Sequence, residues 1–125
     1  LMARMKSDLV EVLLAGIDRR LDEITLEWDP RSALCVVMAS AGYPMTSSKG
    51  DPIHGLDAAG EDAVVFHAGT ARNDTGDVVT AGGRVLGVTA LGDTLADAAT
   101  RAYARVDSIA WEGEQHRRDI GWRAL

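Results

Sequence analysis

The sequence predicts an α+β domain, a mostly antiparallel sheet with flanking helices. Three observations predict it. Val78–Leu91, reading VVTAGGRVLGVTAL, sets two β-branched runs on either side of a Gly82-Gly83 pair, which is a hairpin pattern. Thr94–Ile109 repeats apolar residues at three-four spacing, the pattern of a helix lying on a sheet. The order helix, strand, loop, strand, hairpin, helix, tail places hairpins beside helices rather than alternating strand with helix.

Met2–Leu21 reads as the first helix, with Met2, Met5, Leu9, Val12, Leu13 and Ile17 on one stripe. Asp8 and Glu11 have capping-box spacing after Ser7, so a start there is also possible by pattern. Arg19-Arg20 fall in the last turn, where cations suit the helix dipole. Asp29-Pro30 breaks the pattern. Ala33–Ser40, ALCVVMAS, is a continuous apolar run of strand length, and Cys35 inside it reads as a small core residue. Ala41–Pro44 ends the run, and Met45–Pro52 has the composition of a surface loop. Ile53–Leu56 is a short element at best. Ala63–His67 is the next strand, closed by Ala68-Gly69-Thr70, and Ala71–Gly76 is a polar connection.

In the hairpin, glycine supplies the positive φ of a tight turn. The second strand carries Arg84, Leu86, Val88 and Ala90 on one face and Val85, Gly87, Thr89 and Leu91 on the other. Both faces are largely uncharged, so this strand is central. Thr94 caps the following helix with Asp97 as reciprocal partner, and Leu95, Ala98, Ala99, Ala102, Val106 and Ile109 form its apolar face. The tail, Trp111–Leu125, is charged but holds the apolar anchors Ile120 and Trp122.

The chain has 125 residues, 46% hydrophobic and 26% charged, which suits one ordered domain. A net charge of −6 without a basic stripe argues against nucleic acid as a partner. A single cysteine gives no internal disulfide and no cysteine-based zinc site. No apolar run approaches membrane-spanning length, so no membrane partner and a cytoplasmic location are expected. The chain begins at Leu1, inside the apolar stripe, as a piece of a longer polypeptide would.

No residue set forms a recognisable catalytic frame. Ser, His and Asp occur outside any nucleophile elbow, and no phosphate-loop motif is present. His54, His67 and His116 lack metal-ligand spacing, and His67 reads as a hydrogen-bonded histidine at a strand end. What stands out is a rim made of His67–Thr70 and Gly82–Arg84. Arg84, at the mouth of a buried strand, either pairs with a carboxylate such as Asp74, Asp77 or Asp119 or is aimed at a ligand.

Several phrases in order resemble one family. They are SDL at Ser7–Leu9, ASAGYP at Ala39–Pro44, KG at Lys49-Gly50, FHAGT at Phe66–Thr70, VTAGGRVLGVTALG at Val79–Gly92, AY at Ala102-Tyr103 and RRDIGWRA at Arg117–Ala124. Together they resemble the C-terminal part of the phosphoribosylamine–glycine ligases, ATP-grasp enzymes of purine biosynthesis. Ala81 stands where relatives often carry asparagine, and Met45–Lys49 matches no motif of the family.

The resemblance implies a whole enzyme that joins glycine to 5-phosphoribosylamine through a glycyl phosphate, with ATP and magnesium as cofactors. It implies residues 1–25 as the terminal helix of the ATP-grasp core, and residues 26–125 as a C-terminal domain like that of biotin carboxylase. The acidic metal-binding stretch of the family does not occur here, so catalytic and metal residues are none, and no cofactor is expected on this chain alone. The substrate-binding rim is then Arg84, Gly83, His67 and Thr70. The expected partners are the upstream ATP-grasp core of the same polypeptide, glycine and 5-phosphoribosylamine. Self-association through residues 2–17 is expected where their apolar stripe is uncovered. The alternative is a non-catalytic interaction module with the same fold.

Overall fold

A computed structural model describes residues 1–58, 60 and 62–124 of the chain. Its elements are α1 (Leu9–Ile17), β1 (Ser32–Ala39), β2 (Ala63–His67), β3 (Thr70–Arg72), β4 (Val78–Thr80), β5 (Arg84–Gly92), α2 (Leu95–Val106) and β6 (Gln115–His116). Four strands form an antiparallel sheet in the order β2-β5-β1-β6, and β3 and β4 form a separate two-stranded ribbon. The predicted α+β class and the central position of β5 therefore hold. Leu125, the last residue of the predicted tail, lies outside the described residues.

The core lies between the sheet and α2. Leu34, Val36 and Met38 alternate inward on β1, and Leu86, Val88 and Ala90 do so on β5. Ala98, Ala99, Ala102 and Val106 of α2 meet them. Small side chains on that helix face allow close approach, and Ile109 and Trp111 complete the core beyond its end. Thr94 and Asp97 make the predicted reciprocal cap, which in general is worth about 1 kcal/mol.

The predicted hairpin does not form. β4 pairs with β3, and β5 pairs with β1 and β2, so the two runs flanking Gly82-Gly83 belong to different sheets. Neither glycine has positive φ. They are there because backbones and a ring come close. A Cβ on Gly69 would lie 2.7 Å from the Arg84 carbonyl and 2.9 Å from Gly82 Cα, and a Cβ on Gly83 would collide with the Tyr43 ring. The actual tight turn is Asn73–Asp77, in the segment expected to be a polar connection. There Asn73 Oδ1 accepts from the Thr75 and Asp77 amides.

The first helix is shorter than its apolar spacing predicts. Met2–Arg4 is a 3₁₀ turn, Met5 bridges to Trp28, and α1 starts only after Asp8, whose carboxylate accepts from Val10 N–H. The capping signal at residues 7–8 outcompetes the longer stripe. Arg19 and Arg20 lie beyond the end of α1, not in its last turn. Arg19 takes φ 59°, while the Arg20 and Arg19 amides donate to the carbonyls of Ala15 and Gly16. This is a Schellman end made without glycine. Leu9, Val10, Leu13, Leu14 and Ile17 remain exposed, and only Ala15 of α1 is buried. No described helix is long and apolar enough to cross a membrane.

A chain of charges ties the sheet edges to α2. Both Asp29 carboxylate oxygens accept from the Arg31 guanidinium, at 2.9 and 3.0 Å. Arg31 in turn lies 2.9 Å from Asp62, and Asp62 lies 3.1 Å from Arg101. Arg101 also donates to the Leu91 carbonyl at the end of β5.

The Arg31 side chain holds the Asp29 carboxyl near 2, below its ordinary 3.8. A carboxyl depressed in the folded state stabilises the fold above its unfolded pKa, and that stabilisation is lost as pH falls toward the folded value. Asp29→Asn is therefore expected to lower stability at neutral pH, with the difference from the parent vanishing between about pH 4 and pH 2. Urea unfolding across that range checks it. A difference that persists unchanged at the acid end refutes the ion-pair origin.

Candidate functional site

Four segments build the site: the end of β1, the turn after it, the start of β5 and the short strand β6. The register between β1 and β5 runs evenly from Ser32↔Gly92 to Met38↔Leu86, then breaks, so that Ala39 faces Arg84. Val85 is the extra residue of a bulge. Directly paired residues share a face, so Arg84 lies with Ala39 rather than with Leu86. The expected face of Arg84 is thus reversed. Val85 goes fully into the core, and Arg84 goes to the opposite, outer side.

On the other flank Gln115 of β6 pairs with Ala39. Arg84, Ala39 and Gln115 therefore form one row across three strands. The row is the end wall of a cleft of about 410 Å3 whose floor is Cys35, Val37 and Ala39, with Tyr43, Arg117 and Ile120 around it. Cys35 is exposed here, not a core residue. The apolar run of β1 is apolar on both faces, and only one of them meets α2.

Gln115 is a residue that sequence reasoning missed. Its amide donates to the carbonyls of Ser40 at 2.9 Å and Tyr43 at 3.0 Å. Ser40 N–H donates to the Gly83 carbonyl at 2.9 Å. The turn that carries Tyr43, with a cis Tyr43-Pro44 bond, is thereby clamped to Gln115 and to Gly83, the residue before Arg84. A two-residue strand in a charged tail has no periodicity, so no local signal marks Gln115. Tyr103 of α2 fixes the rest of the tail: its hydroxyl donates to the Arg117 carbonyl and accepts from Ile120 N–H.

The charges differ in how they are held. Arg117 is bound by Asp119, whose carboxyl it keeps below the ordinary range. Asp77 is engaged by Thr75 and Asn73. Arg84 is exposed, and among the described residues neither a hydrogen bond nor an ion pair engages its guanidinium. The structural pairing with Asp74, Asp77 or Asp119 is not made.

The predicted rim residues come together through their backbones. The Ala68 and Gly69 amides donate to the Val85 and Arg84 carbonyls, and Gly69 rests on Gly82. His67 Nδ1 lies 3.0 Å from Thr70 Oγ1, as a hydrogen-bonded strand-end histidine should. His67 pairs with Leu86, on the α2 side of the sheet, and neither it nor Thr70 lines the cleft that Arg84 enters. His116 Nδ1 lies 2.7 Å from Glu114 Oε1, while its Nε2 is buried without a partner among the described residues. Among the described residues no three His, Cys, Asp or Glu side chains converge as a metal ion would require.

Comparison with known proteins places these features in context. Residues 33–123 match the family model described as phosphoribosylglycinamide synthetase, C domain. The chain is 55% identical to the phosphoribosylamine–glycine ligase of Salmonella typhimurium, over all of this chain and 29% of that protein. It is 56% identical to the enzyme of the same name from Escherichia coli O157:H7, with the same coverage. The crystal structure of phosphoribosylamine–glycine ligase from Thermotoga maritima superposes with a TM-score of 0.70 at 35% identity, over 90% of this chain and 28% of that one. The chain thus spans about three tenths of the length of these relatives.

The rim's glycines give a direct test. A methyl on Gly69 meets only backbone, which cannot swing aside. Gly69→Ala is expected to cost about 1–3 kcal/mol of stability in urea unfolding. Gly82→Ala, whose Cβ would sit 3.3 Å from Gly69 Cα, is expected to cost less. Equal, negligible costs at both positions would contradict the close approach.

Proposed function

The chain belongs to the phosphoribosylglycinamide synthetase C-domain family, and from that premise we propose that it is the C-terminal part of a phosphoribosylamine–glycine ligase. The whole enzyme, on this reading, joins glycine to 5-phosphoribosylamine at the expense of ATP in the cytoplasm. Residues 1–25 end the ATP-grasp core and residues 26–125 form the domain that walls the substrate site. The family match over residues 33–123, with similarity to named ligases over the whole chain, carries the reading.

Magnesium and nucleotide belong to the rest of such an enzyme. The described residues lack a converging donor set for a metal, so they do not fit the magnesium ion and no step runs through it here. What this chain supplies is position and charge. We assign Arg84 to the substrate side of the cleft, with Gly83 letting Tyr43 close over its base and the His67–Thr70 turn bracing the backbone behind it. A planar guanidinium suits a carboxylate or a phosphate, and the proposed substrates carry both. That none of the described residues pairs with it supports this role, since an arginine held only for structure would be paired.

The test is Arg84→Ala in the full-length protein. A substrate contact predicts an unchanged melting temperature and at least a tenfold lower catalytic efficiency, roughly 1.4 kcal/mol of transition-state binding. A lowered melting temperature with unchanged efficiency per folded molecule would make Arg84 structural. The isolated chain, for its part, is expected to release no ADP above a blank with ATP, glycine and 5-phosphoribosylamine, because phosphoryl transfer depends on charge neutralisation that it lacks. Turnover by this chain alone would overturn the reading.

A further inference from the structure

The side-chain amide of Gln115 has two ends, and the fold uses one of them. Its nitrogen donates to the carbonyls of Ser40 at 2.9 Å and Tyr43 at 3.0 Å. A primary amide has two N–H donors, so both are spent, and the two carbonyl partners fix which end is nitrogen. The oxygen, Oε1, is therefore turned from those carbonyls, and among the described residues nothing donates to it. Gln115 is exposed and lines the Arg84 cleft. A free glutamine side chain samples many rotamers. This one is held from its donor end, so its acceptor keeps one direction before any ligand arrives.

Its place in the sheet sets what it faces. Gln115, Ala39 and Arg84 stand opposite one another on β6, β1 and β5. Neighbouring strands are about 4.8 Å apart, so the backbones carrying Gln115 and Arg84 are about 10 Å apart, with the methyl of Ala39 between. The floor of Cys35, Val37 and Ala39 offers a ligand little hydrogen bonding. A cleft of this kind takes its specificity from a few fixed polar groups over an apolar surface. Arg84 supplies donors and positive charge, and the Gln115 oxygen supplies an acceptor.

Resting on the ligase reading above, we propose that Gln115 is a specificity-determining residue, whose Oε1 accepts from a sugar hydroxyl of the ligand whose anion sits on Arg84. The ligand class is a phosphosugar. Its phosphate and its hydroxyls lie several bonds apart, which suits the width of the row. Glycine has one carbon between carboxylate and ammonium, which suits it poorly.

The test uses two probes, ribose 5-phosphate and sulfate, titrated separately into the full-length protein by NMR at about pH 8, where both are dianions. Ribose 5-phosphate offers an anion and hydroxyls; sulfate offers an anion alone. The readout is the ratio of the two affinities. Gln115→Met removes the donors and the acceptor. Gln115→Lys keeps donors for the Ser40 and Tyr43 carbonyls and has no acceptor. Each variant is expected to lower the ratio by roughly fivefold, what one hydrogen bond between neutral groups is worth. Amide exchange over residues 41–48 reports the clamp: it is expected to quicken in Gln115→Met and to stay at the parent rate in Gln115→Lys. An unchanged ratio in either variant, including a loss shared equally by both probes, assigns Gln115 to the turn alone and overturns the proposal. Arg84→Ala is expected to weaken both probes together; if it weakens neither, the anion does not sit on Arg84 and the proposal falls. Ligase turnover by the parent protein is scored alongside: its absence defeats the activity reading, whereas turnover with an unchanged ratio defeats only the Gln115 assignment.

Discussion

One residue too many in a strand decides which side of the sheet Arg84 faces. β5 runs beside β1 in even register until Val85 is pushed into the core and Arg84 is left facing Ala39. Without that bulge the alternation of the strand would send the guanidinium toward α2, into the company of Leu86 and Val88. There it would face the large cost of an unpaired charge among hydrocarbons. With it, the core keeps an uninterrupted apolar layer and the outer side gains a cation at its rim. The turn carrying Tyr43, the clamp by Gln115 and the floor of β1 all take their meaning from this single break in pairing.

A cation that is buried is handled differently. Arg105 of α2 is only 5% exposed, and its guanidinium donates to the carbonyls of Gly55 and Leu56 and to the Ser108 hydroxyl. Those bonds stitch the 53–56 segment to the helix, and Ile53 enters the core beside them. The contrast with Arg84 is informative. One arginine is sealed in and satisfied by backbone, as a structural charge has to be. The other stands in solvent beside a cleft, while Asp77 and Asp119 are engaged elsewhere.

Much of this was legible in the residues because it is local. Three-four spacing with a Thr94–Asp97 cap identifies α2, and strand-length apolar runs identify β1, β2 and β5. What escaped is what depends on distant partners. Gly82-Gly83 has the composition of a turn, but its glycines answer to Gly69 and Tyr43, which are remote in sequence. The bulge leaves no mark in a period-two pattern. Met2 and Met5 keep helical spacing, yet the backbone around them is drawn into pairing with residues 27–29. Cys35 misleads because a run that is apolar on both faces says nothing about what covers the second face. At the candidate site, Arg84 and its glycine neighbours could be singled out from sequence, whereas Gln115 and the orientation of Arg84 could not.

The strand order carries a consequence for how the chain is made. β1 is the first strand to emerge during synthesis, yet both strands beside it, β5 and β6, lie far downstream. Until β5 appears, a run of valine, methionine and leucine has two unsatisfied edges and no helix to shelter it. β5 and α2 are adjacent in sequence and can collapse on each other at once, so the sheet assembles around a nucleus formed late in translation. Non-local pairing of this kind slows folding and lengthens the time a sticky edge is exposed. The interval between the emergence of β1 and the arrival of β5 is when this domain most needs a chaperone.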